Sequence, residues 1–549
     1  MKWFVPILMV FPIFLMSFDL PDYPVSDEMQ VEIIEDELEN QVSKNVYGVN
    51  GELLFCEIRN YDENHNLLKY QISYEVEDVT KKYQTEFVYD DQERIIQIIR
   101  GDENKQIRKY EYNDEGLLSK IVNPDQVFVE YEYNQANDLV SIKSSDDTVH
   151  YDYVYEAGNR VKIIDTVNNL ELIQKYDDLK RLICEIYPDG NRVEKQYDRH
   201  GRKTLIDLKE FGKIAYIYSK EGIHHIIRTK KDNSIAYTHS YKKLLDGCYE
   251  TLLNKDSSNV TRFNAEENKI KQQSDFVTVE YQFDEKNLLT SIQVDEEKQD
   301  YAHEECLQLI SNDTYEPYYN LKKGEYSSLA ELKGYNDIHL EYDLNGNLIK
   351  KEKNGEIFVF QYDALGRLTH CLRGDLIVKF VYDSMGRRLS KEIIVNSESR
   401  KEFYIYDEKL EIASFQDRKL QFLRIPGKTM NEDRIRAIAI EKEGQVYIPI
   451  HDLWGRVIKV IDSKTNKVLE NYSVEPFGEN LDQIQTALCP WIFYSKRYDA
   501  EIGLVYFGPY YFDPDIKRYI SIDTDLLQRQ VNPYIFDQNN PLPFFRICH

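Results

Sequence analysis

A tyrosine followed by a polar residue, most often Asp or Asn, returns along this chain at nearly constant spacing. The series is most regular from Tyr112 to Tyr218, with intermediate members at Tyr133, Tyr155, Tyr176 and Tyr197. It reappears at Tyr342, Tyr362 and Tyr382, again in equal steps. Such regularity indicates a repeat architecture in which one small structural unit stacks on its neighbours.

Each copy of the repeat has the same internal order. An alternating segment leads into the aromatic residue, and four or five turn-type residues follow it. Asp after a strand accepts hydrogen bonds from nearby backbone amides, and Gly adopts a positive φ at little cost. The unit is therefore predicted to be strand, tight turn, strand, which is a β-hairpin. The turn motif is sharpest at Tyr342, Asp343 and Gly346, at Tyr362, Asp363, Gly366 and Arg367, and at Tyr382, Asp383, Gly386 and Arg387.

The size of the repeat decides the fold class. A unit of about 20 residues cannot bury its own apolar face, so neighbouring units must stack. Stacked hairpins make a long antiparallel sheet, and sheets wind as they grow because strands twist. The 43 tyrosines, against 24 phenylalanines and 3 tryptophans, fit a sheet-dominated chain. We predict an all-β protein of repeated β-hairpins that wind into a spiral sheet.

A set of motifs near the end of the chain makes a family resemblance specific. Together with Tyr-Asp-x-x-Gly-Arg-Leu at Tyr362–Leu368, this ordered set resembles the YD repeats and associated core of bacterial Rhs proteins. It is also similar to toxin-complex C subunits and to the YD shell of teneurins. The motif residues of this core are His451, Asp452, Gly455, Gly503, Leu504, Tyr506, Tyr511, Asp513, Pro514, Arg518, Asp523, Asn539, Asn540 and Pro541.

The resemblance implies a hollow or partial shell that encloses a polypeptide, with the core closing one end. It divides the chain into four parts: an apolar segment at 1–18, an acidic leader or linker at 19–46, a YD-repeat shell at 47–410, and the core at 411–549. Within the shell, the repeat is degenerate over residues 285–341. A chain of this length could form a small closed shell, an open partial one, or half of a two-chain cage.

Two departures from the family pattern bear on function. Lys517 stands where the family usually has Gly, and Thr524 stands where it usually has Pro. The sequence ends at His549, whereas Rhs proteins typically continue from the core into a cleavage segment and a variable toxic domain. The sequence therefore predicts a shell without its own C-terminal toxin.

The segment 1–18 has the composition of a targeting signal. After Lys2, the run from Trp3 to Phe18 is almost uncharged and is short for a membrane span. It suits the apolar region of a secretory signal, or an uncleaved anchor. We expect an exported protein, secreted or bound to the bacterial envelope, that contacts a membrane only through this segment.

Charge and cysteine content exclude several functions. With 69 basic and 96 acidic residues the net charge is −27, so the chain would repel a phosphate backbone and no nucleic-acid partner is expected. The seven cysteines are scattered without any Cys-x-x-Cys pair, so neither a disulfide framework nor a zinc site is predicted. No cofactor is expected.

Few residues are candidates for chemistry. Most aspartates are accounted for by the turns of the repeat. The resemblance suggests Asp513 and Asp523 as a pair that could cleave the chain itself, one as base toward water and the other as acid. The competing interpretation gives both a structural role. His451 has no second His or Cys nearby in sequence, which favours a hydrogen-bonded structural residue over a metal ligand.

Four functions are compatible with these observations. The leading hypothesis is a non-catalytic shell or scaffold that encloses or delivers a toxin-related polypeptide, alone or with a second shell subunit. The alternatives are a surface adhesion module that binds glycans through its tyrosines, a self-processing aspartyl-type protease, and the remnant of a truncated Rhs toxin.

Overall fold

The structure is a computed structural model that describes residues 30–522 and 533–534. Within 30–522 the description omits residues 37–39, 48–50, 52, 77–78, 103, 221, 244–248, 254–259, 267–268, 275–276, 284–288, 301–323, 429–434, 453, 473–476, 479–480 and 484–487. The described residues form antiparallel strands joined by tight turns, with two short 3₁₀ turns at Lys209–Phe211 and Leu481–Gln483, which confirms the all-β prediction. None of the described segments is a helix long and apolar enough to span a membrane.

The strands form because side chains alternate between a buried and a more exposed face. In the strand Phe128–Tyr133, Val129 and Tyr131 are buried while Glu130 and Glu132 are exposed. This period of two is the pattern of a sheet with one covered face. A register shift precedes the repeat tyrosine in most hairpins, for example between Glu111 and Tyr112. The bulge interrupts the alternation of faces along the strand and so redirects the tyrosine side chain.

The described chain divides into two compact units, each built from separate stretches of sequence. The first unit comprises Met1–His150, Leu307–Asp375 and Tyr510–Pro541. It contains an early ladder β1–β10, a late ladder β26–β31 and the hairpin β43–β44, in which consecutive strands pair antiparallel. Its strands are β1 Gln30–Asp36, β2 Gln41–Tyr47, β3 Leu53–Tyr61, β4 Leu67–Val76, β5 Val79–Tyr89, β6 Ile95–Arg100, β7 Gln106–Tyr112, β8 Leu118–Val122, β9 Phe128–Tyr133, β10 Leu139–Ser144, β26 Gly324–Tyr326, β27 Leu332–Tyr335, β28 Ile338–Tyr342, β29 Leu348–Lys353, β30 Glu356–Tyr362, β31 Leu368–Arg373, β43 Tyr511–Asp513 and β44 Arg518–Tyr519.

The second unit comprises Tyr151–Cys306, Leu376–Pro509 and Leu542–His549. It contains an early ladder β11–β25, a late ladder β32–β40 and the hairpin β41–β42. Its strands are β11 His150–Glu156, β12 Asn159–Asp165, β13 Leu170–Tyr176, β14 Leu182–Ile186, β15 Arg192–Tyr197, β16 Lys203–Asp207, β17 Lys213–Ser219, β18 Gly222–Thr229, β19 Ile235–Lys243, β20 Tyr249–Leu253, β21 Val260–Glu266, β22 Lys269–Ser274, β23 Thr278–Phe283, β24 Leu289–Val294, β25 Glu297–Asp300, β32 Leu376–Tyr382, β33 Arg388–Val395, β34 Glu398–Asp407, β35 Leu410–Gln416, β36 Lys419–Lys428, β37 Ile435–Lys442, β38 Gln445–His451, β39 Val457–Asp462, β40 Val468–Asn471, β41 Arg497–Asp499 and β42 Leu504–Tyr506.

The strand boundaries add detail to three expectations from the sequence. The acidic stretch 19–46 contains β1 and most of β2, which pair with each other, and β2 pairs with β3. Strand pairing also runs through the boundary expected between residues 410 and 411, where β35 begins, and the late ladder ends only at Asn471. In the degenerate stretch 285–341, β24–β25 and β26–β28 keep the hairpin order. These strands are hard to recognise in the sequence because residues 19–46 are strongly acidic and the repeat motif is degenerate over residues 285–341.

Within the first unit, the turns of the late ladder contact turns of the early ladder. The Asn123 side-chain amide donates to the Ala364 carbonyl at 2.8 Å, and the Ala364 amide donates to Thr148 Oγ1 at 2.9 Å. Asn345 and Asp125 exchange two hydrogen bonds, at 2.8 and 3.2 Å. We call this line of contacts the seam of the first unit. It joins residues between 216 and 241 positions apart.

The second unit has a seam of the same kind. The Tyr151 hydroxyl donates to the Tyr382 carbonyl at 2.9 Å. Arg228 pairs with Glu441 through Nε at 2.7 Å and Nη2 at 3.0 Å, and the Tyr237 hydroxyl donates to the same carboxylate at 2.9 Å. These partners are 204 to 231 positions apart. Each early ladder is therefore held to a late ladder of its own unit by polar contacts distant in sequence.

Candidate functional site

The Asp of the repeat motif organises the turn. Asp363 Oδ1 accepts from the backbone amides of Leu365 at 3.0 Å and Arg367 at 3.1 Å, and Oδ2 accepts from Arg367 Nε at 2.7 Å. Gly366 has a φ of 75°, in the left-handed region that favours glycine. Asp383 makes the same three contacts with Met385 and Arg387. Asp343 does so with Asn345 and Asn347, whose side-chain amide takes the place of the guanidinium.

The tyrosine and the Arg of the motif connect one repeat to the next. The repeat tyrosine donates its hydroxyl hydrogen to the carbonyl five residues after the Asp of the preceding turn, for instance Tyr112 to Ile95 at 2.8 Å and Tyr362 to Leu348 at 2.8 Å. The turn Arg lies against the tyrosine ring of the following repeat, as Arg202 does at 4.4 Å from the Tyr218 centroid. The same hydroxyl contact is made by Tyr89, Tyr133, Tyr197, Tyr218 and Tyr406.

His451 occupies the tyrosine position of such a repeat. A register shift precedes it in β38, and Asp452 Oδ1 accepts from the amides of Trp454 at 3.0 Å and Arg456 at 2.8 Å. Burial holds the pKa of His451 well below its usual range, and Arg424 and Arg436 add to this effect. The imidazole is therefore neutral at physiological pH. The motif His451–Arg456 is thus a variant turn of the repeat, which its Asp-x-x-Gly-Arg spacing could have revealed.

The hairpins β41–β42 and β43–β44, together called the closing segment, are two copies of one pattern. Tyr498-Asp499-x-Glu501-Ile502 and Phe512-Asp513-x-Asp515-Ile516 place an aromatic, two acids and an Ile in the same order and at the same spacing. Both turns need a positive φ, at Gly503 (71°) and at Lys517 (58°). Lys517 therefore adopts the left-handed conformation that Gly503 adopts in the other copy.

The copy β43–β44 is seated on β29 in the first unit. Lys351 Nζ donates to both oxygens of Asp513, at 2.9 and 2.7 Å, and to Asp515 at 2.6 Å. Lys353 also pairs with Asp515, at 2.6 Å. Leu348 N donates to the Ile520 carbonyl at 2.8 Å. Asp513 is fully buried and the Lys351 side chain is 5% exposed.

The copy β41–β42 is seated on β33 in the second unit by equivalent residues. Lys391 Nζ lies 2.9 Å from Asp499 and 3.2 Å from Glu501. Arg388 forms a second ion pair with Asp499. The Tyr506 hydroxyl accepts from Arg388 N at 2.8 Å and donates to the Gly386 carbonyl at 3.2 Å. Each copy therefore uses an Asp-x-acid pair on a buried lysine.

We call the residues of β29 that bind β43–β44 the first seat and those of β33 that bind β41–β42 the second seat. The two seats differ in their electrostatics. Burial alone would raise the pKa of Asp499, but Arg388 and Lys391 outweigh it and lower this pKa to about 2. Burial raises the pKa of Asp513 above its usual range, against the attraction of Lys351. Lys351 shares its charge with Asp515, whose pKa is lowered because Lys351 and Lys353 outweigh its burial. Asp499 is consequently an anion held by two cations, whereas Asp513 is the carboxyl at the first seat that binds a proton first.

The structure places most of the core residues singled out in the sequence, with one exception that matters for catalysis. Asp513 is buried in an ion pair with Lys351, and the neighbouring Pro514 is buried as well. Asp523, its suggested partner in self-cleavage, lies outside the described residues, and the pair stays a prediction. Leu504, Tyr506 and Tyr511 are buried, and Arg518 Nη2 donates to the Tyr326 hydroxyl at 2.7 Å. Asn539, Asn540 and Pro541 also lie outside the described residues.

Sequence reasoning missed the residues that seat the closing segment. Lys351, Lys391 and Arg388 stand in ordinary strands of the repeat, and their partners Asp499, Glu501 and Asp515 resemble any other turn carboxylates. Two signals could have identified them: the internal duplication of the closing segment, and a lysine at a position that is uncharged in most repeats. Among the described residues, no group of three His, Cys, Asp or Glu side chains is arranged to hold a metal ion.

Comparison with known proteins places these features in context. A profile of the Teneurin YD-shell family matches residues 13–259 and 252–543. The tRNA3(Ser)-specific nuclease WapA of Bacillus spizizenii is 22% identical over 377 residues, which cover 67% of this chain and 11% of that protein. The chain thus spans about a tenth of the length of this curated relative.

Solved structures of toxin complexes are similar at low identity. The TcdB2-TccC3-Cdc42 crystal structure is 11% identical, covers 92% of this chain and 34% of its own, and has a TM-score of 0.41. The TcdB2-TccC3 crystal structure is 11% identical, covers 94% of this chain and 39% of its own, and has a TM-score of 0.34.

Proposed function

Because the chain belongs to the Teneurin YD-shell family, we propose that it is an exported, non-catalytic scaffold whose repeat ladders enclose a polypeptide related to a toxin. The observation that carries this proposal is the seating of the closing segment. Two hairpins near the end of the described chain are fixed to the late ladders by buried ion pairs between residues 108 and 162 positions apart. Such contacts fix the closing segment against the late ladders and keep its charged side chains out of solvent.

The roles of the repeated residues support a scaffold. The Asp side chains of the repeat are bound to turn amides, and the tyrosine hydroxyls are bound to neighbouring repeats. Asp513 accepts two hydrogen bonds from Lys351, so water could not reach it without opening the seat. Two observations support a toxin-related cargo: the resemblance to Rhs proteins, and a similar protein whose name describes it as a nuclease.

Protection of a fused reporter tests this proposal. A flexible reporter peptide that carries an epitope is appended after His549 in the full chain, and proteinase K digestion is followed by immunoblot. Enclosure predicts that the epitope survives at least tenfold longer than the same reporter added as a separate polypeptide. Equal digestion rates for the attached and separate reporters would exclude enclosure.

A further inference from the structure

The position eight residues after the turn Asp distinguishes the repeats that seat the closing segment. In ordinary repeats this position is uncharged and faces the covered side of the sheet. It is Lys351 and Lys391 in the repeats of Asp343 and Asp383, and Cys371 in the repeat of Asp363. The uncharged residues at this position, buried or half-buried, are Tyr70, Ile98, Ile121, Ile142, Ile206, Cys371 and Val460.

A lysine at this position is costly unless it finds a partner. A buried cation without a carboxylate is strongly destabilising, and a buried ion pair roughly breaks even against an apolar side chain. Such a pair contributes mainly to specificity, because any alternative docking leaves its charges unpaired. Glu185, which occupies the same position after Asp177, follows the same rule, since it pairs with Arg387 at 2.9 Å.

In a chain of similar hairpins, the closing segment must dock on particular repeats among many that resemble each other. Most turns present the same backbone geometry, with an Asp or Asn followed by a residue at positive φ, so the backbone groups of many repeats could accept the closing segment equally well. The contact from Leu348 N and that from Arg388 N are made at the same position of their repeats. The side chain three residues further on differs between repeats, and on β33 the contact residue Arg388 itself adds a second cation beside Asp499.

We infer that Lys351 and Lys391 are the positioning residues that select, among many similar repeats, the two on which the closing hairpins dock. Lys351 selects the copy that carries Asp513 and Asp515, and Lys391 selects the copy that carries Asp499 and Glu501. Since this assignment rests on the closing role proposed above and deepens it, its test uses the chain alone, without reporter or cargo.

Hydrogen exchange of the full chain, read by mass spectrometry, separates the two seats. Lys351→Met keeps an unbranched side chain that is one atom shorter and removes its charge. It should raise exchange in Tyr511–Tyr519 at least tenfold while leaving Arg497–Tyr506 within twofold of the natural chain. Lys391→Met should do the reverse. Lys350→Met is the matched control, because Lys350 is the adjacent residue and pairs with Glu341 near the surface.

Charge exchange distinguishes positioning from simple stabilisation. Lys351→Asp and Asp513→Lys should each release Tyr511–Tyr519, and the double variant should recover protection to within about threefold. Lys351→Arg should also keep it. Unchanged exchange in Lys351→Met, no recovery in the double variant, or a uniform rise across all peptides would overturn the inference. Failure of the reporter to be protected, with this pattern intact, would refute enclosure alone.

Discussion

At the scale of single residues, burial decides how much a repeated contact is worth. Asp383 and Asp198 make the same turn with the same three hydrogen bonds. The Asp383 side chain is 1% exposed and its Arg387 partner 6%, whereas Asp198 is 20% and Arg202 42% exposed. Loss of the carboxylate removes one of two buried partners of a buried guanidinium in the first case and the partner of a solvated guanidinium in the second.

Replacement of these two aspartates should therefore have different costs. We expect Asp383→Ala to lower the free energy of unfolding by about 2–3 kcal/mol, because Arg387 loses one of its two buried carboxylates and keeps only Glu185. Asp198→Ala should cost about 1 kcal/mol, the usual value of a turn cap. Urea denaturation of both variants measures the difference. Equal costs would show that the turn hydrogen bonds, and not burial of the ion pair, determine the effect.

Asp499 should make stability depend on acidity. Its pKa is about 2 in the folded chain against an ordinary 3.8, so the folded state binds fewer protons than the unfolded one between these values. The corresponding stability, about 2 kcal/mol, is present above pH 3.8 and is lost as the pH falls toward 2. Asp513 acts in the opposite direction, because its pKa is raised.

Urea denaturation of the natural chain and of Asp499→Asn between pH 7 and pH 2.5 checks this expectation. The variant should be weaker at pH 7, since Arg388 loses its carboxylate, and should lose less stability on acidification. Parallel pH curves for the two proteins would contradict it.

At the scale of elements, the hairpin follows directly from local chemistry, whereas the contacts between distant hairpins do not. Alternation, the turn Asp and the Gly at positive φ specify strand and turn within a single repeat, so the sequence predicts the element type well. The seats of the closing segment depend on residues more than 100 positions apart, such as Lys391 and Asp499. A lysine eight residues after the turn Asp is unusual within the repeat pattern, but the pattern does not name its partner, and its role becomes visible only when that partner is placed beside it.

The hydroxyl contact between repeats gives a test at this scale. Tyr406 is buried and donates to the Arg388 carbonyl at 2.9 Å, whereas Tyr218 is half-buried and donates to Lys203 at 2.8 Å. Tyr406→Phe should cost about 1–3 kcal/mol, because the buried carbonyl loses its donor. Tyr218→Phe should cost under about 1 kcal/mol, since water can replace the hydroxyl. Thermal unfolding of both variants measures the two costs, and a larger cost for Tyr218→Phe would contradict this account.

At the scale of the whole molecule, two units each join early and late stretches of the sequence. The contacts of each seam link residues more than 200 positions apart. Much of the chain must therefore be synthesised before either unit can be completed. For the export proposed above, this order suits passage across a membrane before folding.

The apolar run at 3–18 should direct that export. Leu8→Arg combined with Phe14→Arg should keep the chain inside the cell, because two charges disrupt the apolar region of a signal. The control Val25→Arg, beyond this run, should leave secretion unchanged. Immunoblots of cell and medium fractions measure both, and secretion of the double variant at the natural level would exclude the segment as the signal.

The seams also limit how such a gene can change. Loss of one hairpin repeat between Arg228 and Tyr382 would leave the remaining strands able to pair, since most repeats offer their neighbours the same tyrosine and turn. It would nevertheless shift every later seam partner by one repeat, so that Glu441 no longer faced Arg228. Duplications and deletions should therefore persist only in compensated pairs or outside seam-linked intervals. Descendants of this sequence should therefore change exposed residues more readily than the number of repeats.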